Sequence, residues 1–253
     1  MSPAGRGGGC RACLMVGRSA DIRVRRRRGG DGVRRFQERE GPPMFSAETQ
    51  RQAAVFDIIG AQYDAAFPHK SGQIIATQWL IDRLSPGSRV LDAGCGTAVP
   101  TGAMLAEAGL DVTGIDVSAE MLRIAQVNVP AARFLPMDIA ELDPTIGDFD
   151  AVAAFFSLLM LRRDQIPVTL RRIRQLIRPG GYLVIGMVEA DFDYVPVPFL
   201  GQQLSVSGYP QAELQDVLTA AGLAISTVDV EEFEPAAPDL PPERQIFAYC
   251  QAP

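Results

Sequence analysis

"RVLDAGCGTAVPTG", residues 89–102, joins an apolar run to a pair of glycines. Val90 and Leu91 lead into Asp92, Gly94 and Gly96 follow two residues apart, and Pro100 and Thr101 open the next segment. An apolar run closed by an acid reads as a buried strand arriving at the edge of its sheet. Glycines placed there can take positive φ and let the backbone approach a ligand closely. The N–H groups at the start of the following helix would then face that ligand.

The neighbouring segments supply the sheet. Apolar spacing predicts two amphipathic helices over residues 46–66 and 71–84. After the strand at "SRVLDAG" comes a helix at "PTGAMLAEAG", with Pro near its start and Gly109 at its end. "LDVTGID", "ARFLPMD", "DFDAVAAFFS" and "YLVIGMVEA" read as four more strands. Between them lie a helix N-capped by Ser118 and another stopped by Pro-Gly-Gly at 179–181. "YPQAELQDVLTAAGL" is a final helix, and "AISTVDVEEFE" and "RQIFAYCQ" form an antiparallel hairpin with a long proline-rich loop. Strands alternating with helices imply an α/β fold with a mainly parallel sheet covered on both faces. Its ligand edge is the carboxyl end of the strands, where the glycine loop sits.

Charge divides the chain in two. The 253 residues hold 24 basic and 30 acidic side chains. Of these, 11 arginines and 4 acids lie in residues 1–43, which leaves 13 bases against 26 acids in residues 44–253. A body that acidic is a poor match for a phosphate backbone, so small-molecule chemistry is favoured and no nucleic-acid partner is expected. Residues 1–43 are rich in Arg and Gly and lack a sustained period, so they are expected to be disordered. Three readings compete for this leader: a nucleic-acid or membrane arm, an unstructured tail, or a start placed too early, with Met44 the true first residue. Cys10 and Cys13 lie inside it without a second pair or a nearby histidine, and no metal site is expected. No signal peptide or membrane span is apparent, and a cytoplasmic location without a membrane partner is expected.

The ligand class follows from what surrounds the glycines. A dinucleotide site prefers G-x-G-x-x-G, but Val99 stands where the third glycine belongs. Asp92, Asp116 and Asp138 instead close three successive strands. Asp116, 20 residues after Gly96, can accept from both hydroxyls of a ribose, and Asp138 from an adenine amino group. Three acids around a glycine loop fit an adenosine that carries positive rather than phosphate charge.

"VLDAGCGTAVPT", "VTGIDVSAEML", "FLPMDIAEL", "FDAVAAFFSLLML" and "IRPGGYLVIG" resemble the ordered motifs of the class I S-adenosylmethionine-dependent methyltransferases. The resemblance spans about residues 50–251. It implies a Rossmann-like, doubly wound sheet of seven strands with an antiparallel last strand, and S-adenosylmethionine as cofactor. By position, Gly94, Cys95 and Gly96 would wrap the methionine portion, and Asp92 would help hold its amino group. Asp116 would bind the ribose, and Asp138 with Ile139 the adenine. One departure is Ala98, where the family usually has a third glycine.

The resemblance further implies that the segment ahead of the first strand folds over the cofactor. Tyr63 and His69, the only histidine, are therefore candidate catalytic groups. A base is required only for an acceptor that arrives protonated; positioning and exclusion of water supply most of the rate. Phe155 and Phe156, after the fourth strand, are candidate acceptor contacts. Residues 190–210 are longer and more irregular than an ordinary connection and read as a lid, with Tyr194 and Phe199 facing the acceptor. The acceptor is expected to be a small, partly apolar metabolite. Two alternatives remain: a non-catalytic adenosylmethionine-binding module, and a nicotinamide-dependent oxidoreductase.

Overall fold

The computed structural model describes residues 45–236 and 240–253. The chain divides into units 1–42 and 43–253. The leader, Cys10, Cys13 and the start expected at Met44 lie outside the described residues.

The strands of the larger unit are β1 (Arg89–Ala93), β2 (Asp111–Asp116), β3 (Arg133–Pro136), β4 (Phe149–Phe155), β5 (Ile177–Val188), β6 (Phe192–Phe199), β7 (Gln202–Gly208), β8 (Ala224–Phe233) and β9 (Glu243–Gln251). Seven of them form one sheet in the order β3-β2-β1-β4-β5-β9-β8. Neighbours β3, β2, β1, β4 and β5 pair in parallel, while β9 runs antiparallel to both β5 and β8. The expected α/β class, strand number and antiparallel last strand are all present. The strand order reverses between β1 and β4, so their carboxyl ends diverge and leave a crevice there. Central strands are buried on both faces, which is why the runs Val90–Leu91, Ala151–Phe155 and Leu183–Ile185 are apolar without polar alternation.

Helices cover the two faces: α3 (Ser71–Ile81), α4 (Thr101–Glu107), α5 (Ala119–Asn128), α6 (Ile166–Leu176) and α7 (Gln211–Ala220). Ser118 caps α5 as expected, accepting from Met121 N at 3.1 Å. The helix expected over 46–66 is interrupted: α1 (Ala47–Ile59) and α2 (Gln62–Ala66) are separated at Gly60, whose φ of +48° ends the first helix.

The segment read as an irregular lid is a regular β-hairpin. Strands β6 and β7 pair antiparallel as a separate two-stranded sheet turning at Leu200 and Gly201. Pro196 and Pro198 obscure the strand in the sequence, yet both are tolerated in a two-stranded sheet because every strand there is an edge.

Candidate active site

A cavity of about 640 Å³ opens at the carboxyl edge of the sheet, below α1, α2, the hairpin and the start of β9. Its volume falls within the range of complete ligand sites.

One half is built by the glycine loop. Gly94 (φ +82°) and Gly96 (φ +52°) both take the left-handed backbone that the sequence anticipated. Gly94 is needed twice over, since a Cβ there would lie 2.3 Å from Ser157 Cβ. Gly96 differs: an added Cβ would meet no protein atom within 4 Å, so its open side belongs to the cavity. The loop is pinned to β2 through Gly94 N and Cys95 N, which both donate to Ile115 O, at 2.8 and 2.9 Å. Cys95 contributes backbone only: its sulfur packs towards Gly114, and burial pushes its thiol pKa up. Ala98, in the third-glycine position, adopts φ +62° and is buried. An L side chain is strained there, so the chain folds as though a glycine were present.

The three acids differ in placement. Asp116 lines the cavity and accepts from Gly96 N and Ser118 N, both at 2.9 Å. Burial raises its pKa, against the pull of these backbone donors. Asp138 lines it too, accepting from Thr49 Oγ1 at 2.7 Å and Ala140 N at 2.8 Å, with Ile139 beside it. Asp92 instead lies behind the loop, off the cavity wall, beneath the first turn of α4. It is buried, its Oδ2 has no hydrogen-bond partner, and burial together with the Asp116 charge pushes its pKa up to about 7.

The other half is aromatic. Phe56, Tyr63, Phe67, Phe199 and Phe233 converge on it from α1, α2 and its C-cap, β6 and β8. Phe199 packs on Phe56, Tyr63 and Phe67 with ring centroids 5.9–6.4 Å apart, joining the hairpin tip to the N-terminal helices. Phe155 and Phe156 line the floor, and Phe156 holds φ +56°, a costly value for a bulky residue. Tyr63 faces the cavity, its pKa raised by burial and by the nearby carboxylates Asp64, Glu243 and Asp116. His69 is exposed and away from the lining, which separates the two catalytic candidates. Tyr194 stands outside the lining and works as a strut: its hydroxyl accepts from Gln52 at 3.1 Å and its ring carries Arg162.

Several lining residues were not anticipated. Thr97 is buried with an unpartnered Oγ1 at the cavity. Lys70 Nζ donates to Asp64 Oδ1 at 2.7 Å and Val99 O at 2.8 Å, which leaves one of its three protons for the cavity. Gln73 Nε2 donates to Thr101 Oγ1 at 2.8 Å. Glu243 and Gln245 open β9 at the far wall. Thr97 lay within the quoted motif; the others carry no local signal, because only the fold brings them to the loop.

A doubly wound sheet with this strand order, a glycine loop after β1 and a carboxylate closing β2 defines the class I S-adenosylmethionine-dependent methyltransferase fold. Residues 90–181 match the model of the methyltransferase-domain family. It is 32% identical over 139 residues to a demethylmenaquinone methyltransferase of Renibacterium salmoninarum, covering 53% of this chain and 56% of the relative. A tRNA U34 carboxymethyltransferase of Shewanella amazonensis is 31% identical over 179 residues, 63% of this chain and 52% of the relative. The chain thus spans about half the length of these curated relatives. Among solved structures, the 1,6-didemethyltoxoflavin-N1-methyltransferase of Burkholderia thailandensis superposes with a TM-score of 0.61 at 22% identity, covering 84% of this chain and 93% of that one. At that identity the likeness is one of fold.

Proposed function

We propose that this chain transfers the methyl group of S-adenosylmethionine to a small, partly apolar acceptor. One observation carries the reading: the glycine loop presents vacant, polar capacity on its cavity side. On that side Gly96 leaves space that a Cβ would fill and Thr97 Oγ1 is buried without a partner, while Asp92 Oδ2, unpartnered behind the loop, sets a carboxyl group beneath it. Buried polar atoms are seldom left unpaired, and a cationic amino acid moiety lying on the loop supplies what they lack. Asp116 keeps lone pairs for ribose hydroxyls beyond the two it uses on backbone, and Asp138 with Ile139 borders the adenine end. Lys70 and Gln73 stand at the loop's far side, where a carboxylate would be met.

S-adenosylmethionine supplies an electrophilic methyl carbon on a sulfonium. The chain's own residues hold, orient and dry the reacting pair. Phe155, Phe156 and Phe199 shape the acceptor half, with Tyr63 as its central polar group; the exposed His69 has no part in this scheme. We infer a small acceptor rather than nucleic acid from the acidic body and the aromatic walls. We place the protein in the cytoplasm; among the described residues no helix is long and apolar enough to cross a membrane.

The test is incubation with labelled methyl donor and a host metabolite extract, beside calorimetry with S-adenosylhomocysteine and NADH. Labelled product with S-adenosylhomocysteine binding supports the reading. Binding without transfer would make the chain a non-catalytic module, and NADH binding would favour the oxidoreductase.

A further inference from the structure

The aromatic half of the cavity contains one acid whose charge is not matched. Lys70 there is paired with Asp64 at 2.7 Å. Glu189 Oε2 meets Arg244 Nη1 at 2.7 Å, a charge contact without hydrogen-bond alignment. Glu243 has only Gln245 Nε2, which donates to its Oε1 at 2.7 Å; among the described residues no cation reaches it. Gln245 is itself buried, so it fixes the carboxylate rather than following it. In β-sheet register Glu243 stands opposite Phe233, and both line the cavity. Burial raises the Glu243 pKa, and its charge in turn raises that of Tyr63, so the two groups lie near each other.

The rings beside it are aligned. Phe67 lies within 21° of Phe199 and within 19° of Phe233, with centroids 5.9 and 6.0 Å apart. The three rings stack on one another and line the cavity, and an aromatic ligand meeting them by edge or face gains more than a puckered ring of equal volume. The unpaired acid excludes an anionic ligand from its vicinity. The Lys70 ammonium is already paired with Asp64, so Glu243 is left to accept from a donor on the ligand. What the carboxylate calls for is a hydrogen-bond donor attached to a planar frame.

We propose that the acceptor half binds a planar, conjugated molecule whose O–H or N–H donates to Glu243, and that Glu243 selects for that donor. The inference rests on the methyl-transfer reading above and names its acceptor class. Gln245 and Phe233 position the carboxylate, and the Phe199–Phe67–Phe233 wall receives the ring system.

The experiment is calorimetry on the full chain saturated with S-adenosylhomocysteine, titrated with 1-naphthol, 1-methoxynaphthalene and decahydro-1-naphthol. The first offers a flat ring and a donor, the second lacks the donor, and the third lacks the flat ring. We expect 1-naphthol to bind at least about 10-fold more tightly than 1-methoxynaphthalene, the effect of one hydrogen bond to a charged group, and more tightly than decahydro-1-naphthol, which keeps the donor but loses the aromatic contact. In Glu243→Leu the two naphthalenes should bind alike, with a melting curve to verify folding. Equal binding of the two naphthalenes to the unmodified chain overturns the proposal without any variant. So does a preference that survives Glu243→Leu, or failure of every aromatic probe to bind a chain that holds S-adenosylhomocysteine. Failure to bind S-adenosylhomocysteine itself would count against the methyl-transfer reading instead.

Discussion

Gly96 N donates to Asp116 Oδ2 at 2.9 Å, so the acid that closes β2 fastens the loop that closes β1. Asp116 therefore shapes the loop, and in the proposed reading it also faces the ribose. Asp116→Ala should weaken S-adenosylhomocysteine binding about 10- to 150-fold, the equivalent of roughly 1.5–3 kcal/mol in charge-assisted hydrogen bonds. It should also lower stability by about 1–3 kcal/mol, because Gly96 N loses its partner. Calorimetry and a melting curve on one preparation read both. Unchanged affinity would remove Asp116 from the ligand site while leaving its loop contact intact.

Asp92 gives the site a pH dependence. Its pKa of about 7 means that it is largely protonated at pH 6 and largely ionised at pH 8. A ligand ammonium favours the carboxylate, so affinity for S-adenosylhomocysteine should rise about 10-fold from pH 6 to pH 8. Stability moves the other way. With a folded pKa above the ordinary carboxylate value, the native state holds the extra proton, and stability falls as pH climbs from about 4 to about 7, by at most about 4 kcal/mol. Asp92→Asn should flatten both slopes. A pH-independent affinity in the unmodified chain would place the ammonium away from Asp92.

Ala98 and Gly102 form a coupled pair. A Cβ at Gly102 would lie 2.9 Å from Ala98 Cβ, closer than side-chain carbons pack. Gly102→Ala should therefore lose the roughly 1 kcal/mol of helix propensity it would otherwise gain, and more. In an Ala98→Gly background the clash vanishes and the gain returns. Denaturant melts of the four chains should give an interaction energy of about 1 kcal/mol or more; additivity would mean that α4 shifts freely.

Lys70 is the residue most clearly placed for the ligand's carboxylate. Lys70→Met should weaken S-adenosylhomocysteine about 10-fold, the lower range for a hydrogen bond to a charged group. Binding of the decarboxylated analogue should stay unchanged. Equal losses for both ligands would assign Lys70 to holding Asp64 and Val99 only.

The pattern of what was legible is physical. β1, β2 and β4 announced themselves because strands buried on both faces must be apolar, and the loop did because positive φ selects glycine. Asp116 and Asp138 were legible as acids ending strands. The hairpin β6–β7 was hidden by Pro196 and Pro198, whose tolerance depends on there being no central strand. A Cβ at Gly208 would lie 2.6 Å from Ala190 Cβ, so that glycine serves close packing at the hairpin's base. Lys70, Glu243 and Gln245 were invisible because their roles depend on distant segments meeting: Lys70 with Val99, and the start of β9 with α2.

Phe199 tests whether the hairpin is part of acceptor binding. The hairpin's base is held by Arg163: its side chain donates to Gly208 O, its N–H donates to Asp193 at 2.9 Å, and its carbonyl accepts from Tyr209 at 3.0 Å. The tip is held by apolar contact of Phe199 with Phe56, Tyr63 and Phe67. Anchored feet and an aromatic tip describe a cover that opens at one end, excluding water when closed. The proposed ribose and adenine contacts Asp116 and Asp138 lie at the ends of β2 and β3, on elements other than the hairpin. Phe199→Ala should therefore raise the acceptor KM or lower kcat by about 5- to 30-fold, the equivalent of roughly 1–2 kcal/mol for a ring that covers a site. S-adenosylhomocysteine affinity should stay nearly unchanged. If the ring merely packs the hairpin onto α1 and α2, the same variant will melt earlier by several degrees while acceptor kinetics hold. Steady-state kinetics beside a melting curve separate the two, and intact kinetics would refute the cover.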